Sequence, residues 1–135
     1  MTTPLYALMG FFFLTMLLLT SIAFARVSQV LRGEATPNSF TPGVPHGSDA
    51  YWRLNRAHAN CLENLPLFAA VVLTAAAAGI ATPTFDWLAR VYVFARVGQS
   101  LAHLSSGSDT AVNVRFTFFG VQVVAIVWMA LTIVG

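Results

Sequence analysis

The sequence predicts an all-α membrane protein whose single domain is a bundle of four transmembrane helices. Of the 135 residues, 57% are hydrophobic and only 9% are charged, and the mean hydropathy is +0.72. Because an ordinary soluble domain has about 25% charged residues, this chain lacks the polar surface that a water-soluble globule needs. Four continuous apolar stretches, separated by three polar breaks, are each long enough for a helix that crosses a ~30 Å hydrocarbon core.

The first apolar stretch, about 5–25, carries no charge before Arg26. The Ala-Phe-Ala triplet at 23–25 resembles a signal-peptide cleavage site, but the N-terminus has no positive charge and the apolar run is too long. We therefore predict a retained transmembrane helix. The next segment, 31–52, contains three prolines and three glycines, a composition that excludes a helix and predicts a long loop.

Three further helices are predicted over about 53–79, 85–105 and 111–134. Pro66 lies inside the second one and removes a helical hydrogen bond, so we expect a kink there. A membrane β-barrel is excluded because its strands alternate polar and apolar residues over about ten positions, whereas these apolar runs are continuous and longer.

The arginines predict the orientation of the bundle. The first and third loops are flanked by most of them: Arg26, Arg32, Arg53, Arg56 and Arg115. The other end of the bundle has only Arg90. By the positive-inside rule, the first and third loops, including 31–52, face the cytoplasm and both termini lie on the non-cytoplasmic side. The composition, rich in Ala and Arg and free of Lys, favours a bacterial inner membrane.

Charge and cysteine content exclude several classes of protein. The net charge is only +2, and no cluster of basic residues of the kind that binds nucleic acid is present. The single Cys61 excludes an internal disulfide and a cysteine-based zinc site, and we predict no metal site. We interpret Cys61 as a small packing residue.

Polar residues within the last three predicted helices fall on one face of each helix at ~100° per residue. The second helix carries Arg53, Arg56, Asn60 and Glu63; the third carries Tyr92, Arg96, Gln99 and His103; the fourth carries Arg115 and Gln122, which share their face with Phe119. Ionisable residues in a membrane span are costly and indicate a partner or a function. We expect these faces to point into the bundle.

The inward charges are unbalanced, because Arg56, Arg96 and Arg115 face only one acid, Glu63. One interpretation is structural: Glu63 forms a buried ion pair with one of the arginines. The other is a small anionic ligand reached from the cytoplasm, since unpaired buried charge is expensive. Glutathione has suitable chemistry: arginine binds carboxylates, Glu63 accepts from its ammonium, and Asn60 and Gln99 bond its peptide groups.

The other histidines have simpler interpretations. His58 projects away from Arg56 and Glu63, so we expect it to bond a neighbouring helix or subunit. His46, in the long loop, is expected to be solvated. A haem held by His58 and His103 remains an alternative that would make the purified protein coloured.

Residues 56–68, RAHANCLENLPLF, resemble the R-A-H-x-N-x-x-E-x-x-P-x-F signature of the MAPEG family, the membrane-associated proteins in eicosanoid and glutathione metabolism. The family includes microsomal glutathione transferases and prostaglandin E and leukotriene C synthases. The resemblance extends over nearly the whole chain through the helix number and the long first loop.

This resemblance implies a homotrimer in the lipid bilayer, with glutathione as co-substrate bound between subunits and small lipophilic electrophiles as the second substrate. By position, Arg56, Asn60, Glu63 and Arg96 match glutathione-contacting residues. His103 stands where the prostaglandin synthases have a tyrosine. Arg115, the implied catalytic residue, matches an arginine that stabilises the glutathione thiolate, the nucleophilic form of the thiol.

Two departures from the prostaglandin synthase branch follow Arg115. Phe116 and Phe119 replace a serine and a tyrosine, so neither hydroxyl is available to the sulfur. A third departure lies in the second helix, where Ala59 replaces an arginine. A prostaglandin synthase is therefore not predicted. The resemblance implies a broad glutathione transferase or peroxidase, or alternatively a non-catalytic lipid-binding or scaffold subunit. A transporter is disfavoured because the polar faces stop near mid-membrane.

Overall fold

The computed structural model describes all residues, 1–135, as four helices and their connections. The helices are α1 (Thr3–Leu31), α2 (Asp49–Ala77), α3 (Pro83–Ser105) and α4 (Asp109–Val134). The predicted number of helices is confirmed. The helices run alternately up and down, so loops 32–48 and 106–108 lie together at what we call the loop end. The turn 78–82 and both chain termini lie at the opposite, terminal end.

The first loop is shorter than predicted because the helices beside it continue further. α1 passes Arg26 without interruption and stops at Gly33, whose φ of 73° is readily adopted only by residues without a side chain. α2 begins at Asp49, where the Ser48 hydroxyl accepts a hydrogen bond from the Tyr51 backbone N–H at 3.2 Å. The predicted end of α1 near residue 25 is therefore too early, since one arginine does not terminate a helix.

Three of the helices, α1, α2 and α4, are long and apolar enough to cross a membrane. α3 is not among them, although its 23 residues span about 35 Å at 1.5 Å per residue. Its polar residues lower its hydropathy. Four of them are buried within the bundle: Arg96, Gln99, Ser100 and His103. The residues that lower the hydropathy of α3 are therefore shielded by the other helices.

α2 and α3 each contact all three other helices, while α1 and α4 do not contact each other, and the contact between α3 and α4 is the most extensive. An aromatic cluster joins the first three helices near mid-length. Phe68 and Tyr92 are stacked with ring centroids 4.2 Å apart, and Phe11 lies 6.2 Å and 6.1 Å from them. Of the three consecutive phenylalanines in α1, only Phe11 is buried; Phe12 and Phe13 are exposed on the outer surface.

α3 and α4 approach closely at Gly98. A Cβ atom at this position would lie 2.6 Å from Cζ of Phe118, closer than non-bonded carbon atoms normally come. The absence of a side chain at Gly98 therefore sets how near α4 packs, and with it the distance between polar groups that the two helices share.

We predict that Gly98→Ala lowers the free energy of unfolding by about 1–3 kcal/mol, because the Phe118 ring must move away. Gly120→Ala is the matched control: Gly120 is also helical, but a Cβ there meets no atom within 4 Å, so the better helix propensity of alanine leaves stability equal or higher. Thermal unfolding in detergent measures both, and equal midpoints for the two variants would contradict the close approach.

Candidate functional site

The polar face of α3 points into the bundle, as the helical projection predicts. Tyr92, Arg96, Gln99 and His103 are all buried, and Arg96 is completely inaccessible. The four residues recur at intervals of three or four positions, so they form one continuous row along α3. This row is the framework on which the polar groups of α2 and α4 assemble.

Arg96 is a fully buried cation without a carboxylate partner. Its Nη1 donates a hydrogen bond to Oδ1 of Asn60 on α2, and its guanidinium carbon lies 5.3 Å from the ring centroid of Phe11. Nε and Nη2 have no hydrogen-bond partner. The groups around this charge, including the nearby side chains of Tyr92 and Cys61, contain no carboxylate, and this favours an anion nearby.

Arg115, at the start of α4, is half-buried and also has no carboxylate partner. Its Nη1 lies 2.9 Å from Nδ1 of His103, and its buried Nε has no partner. Like Arg96, Arg115 has no hydrogen bond to a charged group. Its contact with His103 joins α4 to α3 near the loop end.

Gln99 has a different environment from the predicted one. It is buried, and its Oε1 accepts a hydrogen bond from Nε2 of Gln122 at 2.9 Å. The interpretation of Gln99 as a ligand-binding residue is not supported by this geometry, because the side chain links α3 to α4 and does not border the open cleft.

The open cleft is a cavity at the loop end with a volume of about 370 Å³, within the usual size range of small-molecule sites. It lies over the outward face of α2, against the first loop on one side and α3 on the other. The predicted site residues that border it are Arg56, Asn60, Glu63 and His103. Arg96 lies behind it, connected through Asn60, and Arg115 lies behind His103.

The expectation that Arg56 and Glu63 point into the bundle is wrong. Both are exposed on the outward face of α2, so they face the cleft rather than the interior of the protomer. The alternative of a buried ion pair is also wrong within this chain, since the one salt bridge joins Arg32 to Glu34 at 3.3 Å on the surface.

The two other histidines both border the cleft, and a bond from His58 to a neighbouring subunit stays a prediction. His58 borders the same cleft, because the cleft extends around α2 further than the predicted polar face, and its buried Nε2 has no partner. His46 is half-buried rather than solvated. Its Nε2 lies 3.3 Å from the Tyr51 hydroxyl, which fastens the first loop to α2.

Arg26 is a cleft residue that the sequence reasoning missed. Its Nε donates to the Tyr51 hydroxyl at 2.9 Å, its guanidinium lies 5.2 Å from the Phe40 ring centroid, and it borders the cleft. The signal was present, because Arg26 is the only charged residue in the 29 residues of α1.

The acids of the chain are placed where they leave the cleft positive. Asp49, Asp86 and Asp109 lie in the first turns of α2, α3 and α4, where helix dipoles favour negative charge. Glu34 pairs with Arg32. Of the five acids, Glu63 is therefore the only one that borders the cleft, against Arg26 and Arg56 at its edge and Arg96 and Arg115 behind it.

These features define a helical membrane protein with a positively charged cleft at one end of its bundle. The sequence model of the MAPEG family matches residues 4–135, and the chain belongs to this family. The resemblance identified from residues 56–68 is thereby confirmed, and membership supports a glutathione-related transferase or a related membrane function at the level of the family. A search of curated proteins gives no match.

We predict that the partner of Arg96 controls stability. Asn60→Leu removes the one hydrogen-bond acceptor and lowers the free energy of unfolding by about 2–3 kcal/mol, whereas Asn60→Asp supplies a carboxylate and raises it. Asn64→Leu is the control, because Asn64 bonds only the Asn60 carbonyl, at 2.8 Å, and should cost less than Asn60→Leu. Thermal unfolding in detergent measures the relative stabilities of these variants. An Asn60→Asp variant no more stable than the parent would show that the charge of Arg96 is already compensated.

Proposed function

We propose that this protein is a homotrimeric, glutathione-dependent transferase and peroxidase of a bacterial inner membrane, acting on lipophilic electrophiles. One observation supports this most directly. Arg96 and Arg115 retain buried N–H groups without partners, no carboxylate lies within salt-bridge distance of either, and both stand behind the same cleft. A site built this way favours a small ligand that carries negative charge.

Glutathione fits this set of residues. Arg56 at the edge of the cleft is available to one carboxylate, and Glu63, without an ion-pair partner in the chain, is available to the ammonium group. Asn60 turns its Oδ1 to Arg96, which leaves its Nδ2 as a donor toward a carboxylate or peptide carbonyl in the cleft. Arg96 thus orients Asn60 and adds positive potential without leaving the interior.

The chemistry proposed for this site begins with ionisation of the glutathione thiol. The S–H bond breaks, the electron pair stays on sulfur, and the proton passes to water in the open cleft. The guanidinium of Arg115 favours the anion electrostatically, which raises the fraction of nucleophilic thiolate at neutral pH. The sulfur then bonds to an electrophilic carbon, whose leaving group departs with its bonding pair and takes up a proton from water.

Peroxide reduction uses the same thiolate. It attacks one oxygen of a lipid hydroperoxide, the O–O bond breaks, and the alkoxide takes a proton from water. The glutathione sulfenic acid formed is reduced by a second glutathione, giving glutathione disulfide and water.

The proposed topology follows from the arginines and the helix directions. Five of the seven arginines lie within or beside the loop end, namely Arg26, Arg32, Arg53, Arg56 and Arg115, so this end is assigned to the cytoplasm. α2 and α4 run in the same direction, so α3 must cross the membrane to join them, which gives four spans. The trimer is carried over from the family, and the outward position of Arg56 and Glu63 favours a neighbouring subunit over this face.

A non-catalytic, lipid-binding or scaffold protein is the second candidate. Phe116 follows Arg115 and is 74% exposed, and Phe119 is also exposed, so neither brings a polar group to a sulfur. A protein that binds glutathione or lipid without activating the thiol would carry this combination.

We predict that the purified protein in detergent binds glutathione in isothermal titration and generates an ultraviolet thiolate absorbance on mixing. Arg115→Ala should lower that absorbance and the rate of conjugation to an aryl chloride or reduction of an organic hydroperoxide by at least tenfold, with the trimer intact in light scattering. The control is Arg90→Ala, which removes an exposed arginine near the terminal end that contacts only Thr3, at 3.5 Å, and should leave both signals unchanged.

The outcomes separate the two candidates. Binding of glutathione without thiolate absorbance or turnover in the parent protein would favour the non-catalytic candidate. No binding at millimolar glutathione would contradict the proposed function, and an unchanged thiolate signal in Arg115→Ala would contradict the role of that residue.

A further inference from the structure

The contact between His103 and Arg115 fixes the state of the imidazole ring. A guanidinium has only N–H donors and no acceptor, so the 2.9 Å contact of Arg115 Nη1 with His103 Nδ1 requires a lone pair on Nδ1. The ring is therefore neutral and carries its proton on Nε2. That second nitrogen makes no hydrogen bond within the chain, whereas Nδ1 is committed to the arginine.

The position of His103 places it between Arg115 and the cleft. His103 is only 8% exposed, yet it borders the cleft, whereas Arg115 does not. The histidine thus contacts the arginine on one side and the space proposed for glutathione on the other. The guanidinium cannot turn toward loop 106–108 without losing the one hydrogen bond that it makes.

We propose that His103 is a positioning residue for the glutathione thiolate: its neutral Nδ1 holds the guanidinium of Arg115 in the orientation that stabilises the sulfur. This inference rests on the proposed function and specifies how its site is organised. The same tautomer turns the Nε2–H away from Arg115, so the contact leaves a donor on the other edge of the ring.

The residues after Arg115 explain why such support is needed. Phe116 and Phe119 carry no polar atom, and Arg115 Nε has no partner, so nothing on α4 itself fixes the guanidinium. A long, flexible side chain without support samples many rotamers, and its charge is then spread over positions that do not favour the thiolate. The support comes from α3, through His103.

The charged groups around His103 favour the neutral ring on which this role depends. Arg115 contacts it from α4, Arg56 of α2 faces it from the cleft side, and Arg96 lies on the same face of α3, two turns away. The other titratable groups that border the cleft are Arg26 of α1, His46 of the first loop, and His58 and Glu63 of α2. Protonation of His103 would place a second cation against Arg115 and break their hydrogen bond.

The test is the pH at which bound glutathione ionises, followed by thiolate absorbance in the full-length protein in detergent. His103→Phe keeps the ring volume but removes both nitrogens, and we expect the ionisation midpoint to rise by about one to two pH units. His103→Asn keeps an acceptor near the position of Nδ1, so its midpoint should rise by less. The glutathione affinity of each variant at low pH, where the ligand is a thiol, is measured separately, so that a change in binding is distinguished from a change in the ionisation midpoint.

A double variant separates positioning from an independent effect. If His103 acts through Arg115, His103→Phe combined with Arg115→Ala should ionise glutathione at the same pH as Arg115→Ala alone. Arg90→Ala serves as the control and should titrate like the parent.

Other results would contradict either the positioning role of His103 or the proposed function. A His103→Phe midpoint equal to the parent's, equal shifts for His103→Phe and His103→Asn, or additive shifts in the double variant would overturn the positioning role while leaving glutathione chemistry in place. A parent protein that binds no glutathione would overturn the proposed function, and the inference would fall with it.

Discussion

The burial of Arg96 is the constraint on which the rest of this structure depends. The residue is inaccessible to solvent on α3, which contacts all three other helices, as α2 also does. Its guanidinium contacts the Asn60 amide of α2 and the Phe11 ring of α1. A cation in this position is expensive unless its surroundings are polar and ordered. The same residue that lowers the hydropathy of α3 therefore specifies how α1 and α2 pack against it.

The incomplete compensation of that charge connects stability to function. A glutamate in place of Asn60 or Gln99 would offer Arg96 an ion pair and remove the demand for an anion. The chain instead places three of its acids at helix N-termini and leaves Glu63 as the only acid that borders the cleft. Positive charge is thus kept near an opening at the loop end. Such an arrangement costs stability in the empty protein and favours a bound anion by the same interaction.

The sequence predicts those features that depend on one helix at a time. Apolar run lengths give the four helices, and a 100° projection gives the buried row of α3 because the polar face of that helix packs against its neighbours in the bundle. The projection is wrong for Arg56 and Glu63, since it relates residues within α2 but does not show which side of α2 lacks a neighbour. The projection also fails for contacts between helices and loops. Gln99 bonds Gln122 of α4, and Arg26 borders the cleft beside Phe40 of the first loop. Neither contact produces a periodic signal in the sequence.

The close packing of α3 and α4 determines whether the proposed thiolate site is ordered. Gly98 lets Phe118 approach the α3 backbone, and the Gln99–Gln122 and His103–Arg115 contacts follow at successive turns toward the loop end. Both are hydrogen bonds between neutral acceptors and long, flexible side chains, so they form only when the two helices are at the right distance. Under the proposed function, Gly98, which does not border the cleft, therefore sets the helix spacing on which the orientation of Arg115 depends. Phe116 and Phe119 carry no polar atom, so in the proposed site the packing of α3 against α4, through His103, is what orders the guanidinium of Arg115.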